Sequence, residues 1–166
     1  MLGGEHRQQR LAIGLGHAGD FDMPRDAPAV RLRPPVADYA IKRLEEIPDV
    51  LGDYPGEMRM TAASDLGTEQ VSFTWRRMPP QTGGKGSYGH RHKTQEEIYF
   101  VASGELLFKL EDEVIEVPAG SVVRIAPQVV RSVWNEGPED AVLIMCSIKS
   151  DDPSGDHETV PDFWPE

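Results

Sequence analysis

The chain has 166 residues, 39% of them hydrophobic, which suffices for one compact domain with a core and is too short for two ordinary ones. Its 28 acidic and 17 basic side chains leave a net charge of −11, which argues against a surface built to gather phosphates, and so against nucleic acid and anionic membranes as partners. A single cysteine, Cys146, forbids an internal disulfide and a cysteine-rich zinc site, and with no apolar run of signal or membrane length the expected compartment is the cytoplasm.

Residues 1–35 are rich in Gly, Pro, Arg and Asp and hold no sustained period, so a loosely ordered arm is expected there. Residues 36–68 are read as a helix and a connecting segment. In "VADYAIKRLEEIPDV" the apolar Ile41, Leu44 and Ile47 recur every three residues, Asp38 is placed to cap, and Pro48 ends the run; one short amphipathic helix is predicted. From residue 69 the period falls to two: Val71, Phe73 and Trp75 alternate with Ser72, Thr74 and Arg76 until "MPPQTGGKG" breaks the strand. Further short strands are predicted near 88–93, 97–103, 105–110, 113–117, 121–126, 129–135 and 141–149, each bounded by turn or charged residues. Such spacing leaves no room for crossover helices, so residues 69–149 read as all-β and antiparallel: a sandwich, barrel or jelly roll. The acidic tail, 150–166, ends in Phe163 and Trp164; it either docks these aromatics on the barrel or a second subunit, or frays with an apolar end.

The chemistry concentrates in "GHRHKTQEEIYFVASGE". His90 and His92, one residue apart on a strand, project from the same face, as two imidazoles sharing a metal must. Glu97 begins the next strand and shares a face with Tyr99 and Val101, so it can complete a two-histidine, one-carboxylate set with open coordination positions. If that strand starts one residue early, Glu96 takes its place. Tyr99 is either a phenol donor toward a bound ligand or a core tyrosine with a satisfied hydroxyl.

Read together, Gly84, His90, His92, Glu97 and Gly104, separated by five, one, four and six residues, resemble the first motif of the cupin superfamily at every position. The second motif is similar to "EDEVIEVPAGSVVRIAPQVVRSVWNEG", with Pro118, Gly120, Pro127 and Asn135 in place. The resemblance covers about residues 70–149 and implies a small jelly-roll barrel. It assigns His90, His92 and Glu97 to metal positions for one divalent transition ion (Fe, Mn, Ni or Zn). It also implies a homodimer, since such barrels often pair through sheet faces and exchanged ends.

Two positions depart: Asp112 stands where the second motif often has a turn glycine, which alters only the hairpin, and the other bears on ligation. Four residues before Asn135, where these barrels usually supply a further histidine, the chain has Arg131, and a guanidinium cannot ligate a metal. The other histidines, His6, His17 and His157, lie in the terminal segments, so a substitute imidazole would come from an arm or a partner chain. Two readings follow. Either three ligands hold a metal and Arg131 grips an anionic small-molecule substrate, in an oxidoreductase of the dioxygenase type or an isomerase or lyase. Or no metal binds, Glu97 pairs with Arg131, and the barrel is a non-catalytic pocket for a sugar or small acid. Lys85 and Tyr88 are placed to line the mouth or to lie in an exposed loop. Arg124 is a second interior cation or a surface residue, and Cys146 a small buried hydrophobe.

Overall fold

The computed structural model describes residues 39–166. The predicted arm, with His6 and His17, and the capping position Asp38 lie outside them. Eleven strands follow one another among the described residues: β1 (Glu57–Met60), β2 (Val71–Met78), β3 (Thr82–Gly83), β4 (Ser87–His92), β5 (Glu97–Ser103), β6 (Glu105–Leu110), β7 (Glu113–Pro118), β8 (Val122–Ile125), β9 (Arg131–Asn135), β10 (Ala141–Ile148) and β11 (His157–Trp164). All pairings are antiparallel. One sheet runs β1-β2-β10-β5-β8; the other runs β11-β4-β9-β6-β7, with β3 also on β9. The strands predicted from alternation coincide with β2 and with β4 to β10, because period-two patterning survives wherever one face is buried and the other is not.

The inward faces meet in an apolar core. Met78, Val101, Leu106, Phe108 and Leu143 are all but wholly removed from solvent, and the Tyr99 ring meets Phe108 edge to face with ring centres 5.7 Å apart. Gly104 turns the chain between β5 and β6 at φ +75°, a conformation that glycine adopts without strain, and a Cβ there would lie 2.9 Å from that of Ala141.

One expectation is corrected by position. The stretch predicted as a helix forms only a 3-10 turn, Leu44–Glu46, whose entry is held by the Arg43 amide donating to Glu46 Oε2 at 2.6 Å. A spacing of three is also the period of that tighter turn, and Tyr39 and Ile41, 77% and 85% exposed, find no surface to bury the stripe a longer helix would present. In β2 the inward residues are Thr74 and Met78, with Arg76 between them, while Phe73 and Trp75 take the other face.

The acidic tail is structured. A single helical turn, α1 (Pro153–Asp156), leads into β11, which pairs with β4 in the register His157↔His92, Thr159↔His90 and Val160↔Gly89. A bulge at Pro161 and Asp162 interrupts the ladder where proline has no N–H to give, and the strand closes with the Gly86 amide donating to Trp164 O at 2.7 Å. Trp164 is buried, and the Phe163 ring lies where a side chain on Gly89 would be.

Candidate metal centre

His90 and His92 project inward from β4, and Glu97 faces them from β5 in the opposite sheet. The ligand atoms of the three lie within 4.8 Å of one another. Glu96 points the other way and pairs with Arg124 on the outer surface, so the strand keeps the register that puts Glu97 inside.

The two oxygens of Glu97 face different partners. Oε2 accepts from Nε of Arg131 at 3.0 Å, from Nη2 of the same guanidinium, and from the Tyr99 hydroxyl at 2.8 Å. Oε1 faces His92 Nε2 at 3.5 Å. Arg131, opposite His90 in the β4 to β9 pairing, has no exposed surface, and its Nη1 donates to the carbonyls of Pro127 and Val129 at 3.3 and 3.2 Å. Its donors are thus directed at Glu97 and the backbone. Burial opposes the charge on Glu97, but His92, Arg131 and Tyr99 outweigh it and hold the carboxyl at about 2. Burial, then the Glu97 charge, push the Tyr99 phenol well above its ordinary range.

His92 is fixed from behind. Its Nδ1 lies 2.9 Å from Asp156 Oδ2, within ion-pair distance, although neither buried atom completes a hydrogen bond of good geometry. Asp156 is itself placed by the amide and hydroxyl of Thr94, which both donate to Oδ1, and by the Lys93 amide, which donates to its carbonyl. Burial raises the Asp156 pKa, yet these Thr94 bonds keep the carboxyl below the usual carboxylate range. For His90, burial and then the nearby Arg131 charge lower the pKa to about 4. A neutral His90 and an ionised Glu97 are in the protonation states a metal requires of its ligands, and the donor set of two nitrogens and an oxygen suits a divalent transition ion.

Three residues that the sequence left out of the site belong beside it. Asp156 orients His92. His157 stacks on His90, with ring centres 5.1 Å apart and planes 18° from parallel. Arg76 faces the interior opposite Leu143, its buried Nε has no partner, and it makes no ion pair among the described residues. Burial lowers its pKa, and the titratable groups acting on it are the phenols of Tyr54, Tyr99 and Tyr88. The inward cation on this wall is therefore Arg76, while Arg124 is exposed. Tyr88 is exposed on the His90 and His92 face, Lys85 is engaged by Glu136 at 3.3 Å, and Cys146 is half-buried.

Comparison with known proteins agrees with this architecture. Residues 76–147 match the family model described as a cupin domain. A cupin protein from Bacteroides fragilis superposes with a TM-score of 0.55 at 22% identity, covering 72% of this chain and 92% of its own. A protein with a double-stranded beta-helix domain from Klebsiella pneumoniae gives 0.55 at 17%, covering 72% and 96%. KdgF from a Halomonas species gives 0.53 at 16%, covering 70% and 98%. At these identities the likeness is one of fold. An uncharacterized protein of Methanocaldococcus jannaschii is 34% identical over 58 residues, 35% of this chain; the chain thus spans 46% of that relative's length. The motif residues, the two antiparallel sheets and the matched model thus agree on a cupin domain over residues 76–147.

Proposed function

We propose that this cupin is a mononuclear metal enzyme acting on a small organic anion. The observation that carries the reading is the convergence of His90, His92 and Glu97 within 4.8 Å. A salt bridge between Glu97 and Arg131 needs neither histidine, nor an aspartate set beside one of them. A divalent transition ion held there would supply Lewis acidity and open coordination positions, chemistry suited to a dioxygenase or to an isomerase or lyase.

The chain's own residues supply the surroundings. Arg131 and Tyr99 hold one oxygen of Glu97 and leave the other for the ion, Asp156 orients His92, and Arg76 offers a substrate carboxylate or phosphate an inward-facing guanidinium. Tyr99, with its proton directed at Glu97, is a positioning residue in this reading.

A second reading has its own support. The Glu97 and Arg131 pair that a metal-free sugar or small-acid binder would use is formed. Metal analysis of protein purified without an affinity tag separates the two. About one ion per chain, lost in His90→Ala and His92→Ala, supports the enzyme. Metal-free protein that binds a small acid or sugar supports the binder.

A further inference from the structure

We infer that His157, delivered by the C-terminal strand β11, is the third imidazole of the metal centre, standing in for the barrel histidine that Arg131 replaces. The inference rests on the metal-bound reading of His90, His92 and Glu97, and it adds a residue from outside both sequence motifs.

Three independent features carry it. The first is register: β11 sets His157 directly opposite His92, so the two side chains leave the same face of neighbouring strands. The second is size. A metal–nitrogen bond of about 2.1 Å puts each ring centre roughly 3.2 Å from the ion, so imidazoles at tetrahedral angles have centres about 5 Å apart. The three rings form a triangle with sides of 5.5, 5.1 and 5.7 Å. The third is anchorage. The residue before His157 is the buried Asp156, bound to Thr94 and facing His92, and the far end of the strand is closed by Trp164 and by Phe163 against Gly89. β11 is thus held at both ends, and the imidazole sits at the edge of the site. His157 itself is exposed, is not in the group whose ligand atoms lie within 4.8 Å, and stands nearly parallel to the His90 ring, so ligation requires its ring to rotate off His90 onto the ion. Arg131 cannot fill this position, because it has no lone pair to give and its donors are committed to Glu97 and two carbonyls.

The test is titration of the metal-stripped full-length protein with Co²⁺, reading affinity by calorimetry and coordination by the visible ligand-field bands. His157→Ala is expected to bind at least about 10-fold more weakly and to shift or weaken those bands. Glu158→Ala, which breaks the neighbouring ion pair with Arg91 on the same strand, is expected to leave both unchanged. Equal effects of the two variants would mean that strand docking, not ligation, is responsible, and would overturn the inference. So would a wild-type protein whose Co²⁺ is lost in His90→Ala but whose affinity and spectrum are untouched by His157→Ala; in that case the metal reading stands alone. Wild-type protein that binds no Co²⁺ overturns both.

Discussion

Arg131 on β9 and Arg76 on β2 both project into the barrel, and their surroundings differ at every donor. Around Arg131 the wall is closed: four hydrogen bonds run to one Glu97 oxygen and to the carbonyls of Pro127 and Val129, and no part of the residue reaches solvent. Around Arg76 there is no such bonding: its buried Nε has no partner among the described residues, and burial lowers its pKa. A buried donor left unpaired costs about 1–3 kcal/mol, which makes Arg76 the place to test for anion binding. The contrast separates architecture from binding within a single residue type. Arg131 holds the carboxylate that the centre needs, and Arg76 is the cation left for something else.

The strongest way to break this contrast is Arg131→Met. It strands the Glu97 carboxylate with Tyr99 and His92 alone and removes the donor from two carbonyls, and losing one partner of a buried pair typically costs about 3–5 kcal/mol. Urea unfolding of the variant against wild type measures it. A loss below about 1 kcal/mol would mean that Arg131 is not the structural member of the pair.

How much of this was legible beforehand follows the physics of each part. β2 and β4 to β10 were readable because turn or charged residues bound each one, and in β5 and β6 buried and exposed residues alternate as well. His90, His92 and Glu97 were readable because strand periodicity and motif spacing fix their faces independently of distant packing. The inward turn of Arg76 was hidden, since alternation gives two faces without saying which is inside, and the more apolar one here is the outer. The C-terminal strand was hidden for another reason. "HETVPDFW" holds a proline and three acidic residues counting the neighbouring Asp156, so its local preference is for coil, and only pairing with β4 makes it a strand. Its aromatic end hinted at docking, but nothing local linked His157 to His92, sixty-five positions earlier in the numbering and directly opposite in the sheet.

Arg76→Met gives the intermediate effect and sharpens the contrast from the other side. Removing an unpaired buried donor is expected to leave stability unchanged or to raise it by up to about 1 kcal/mol, while weakening the binding of malonate or inorganic phosphate to the metal-loaded protein by about 10-fold or more. Calorimetry with both probes, beside the unfolding curve, reads the two quantities separately. A variant that is destabilised and still binds the anions would place Arg76 with Arg131 among the structural residues.

The smallest effect is expected at Glu96, which faces the opposite way from its neighbour Glu97. Glu96 pairs with Arg124 in the open, where an ion pair contributes about 0–1 kcal/mol, so Glu96→Gln is expected to shift the unfolding midpoint little and to leave metal content intact. Glu97→Gln, one position along, is expected to lose the metal, because an amide keeps the shape of the carboxylate but not the charge that an ion and Arg131 both need. Metal analysis of the two purified variants reads the difference. If Glu96→Gln lost metal and Glu97→Gln kept it, β5 would be slipped by one residue, every side chain on it would change faces, and the whole arrangement around Glu97 would have to be redrawn from Glu96.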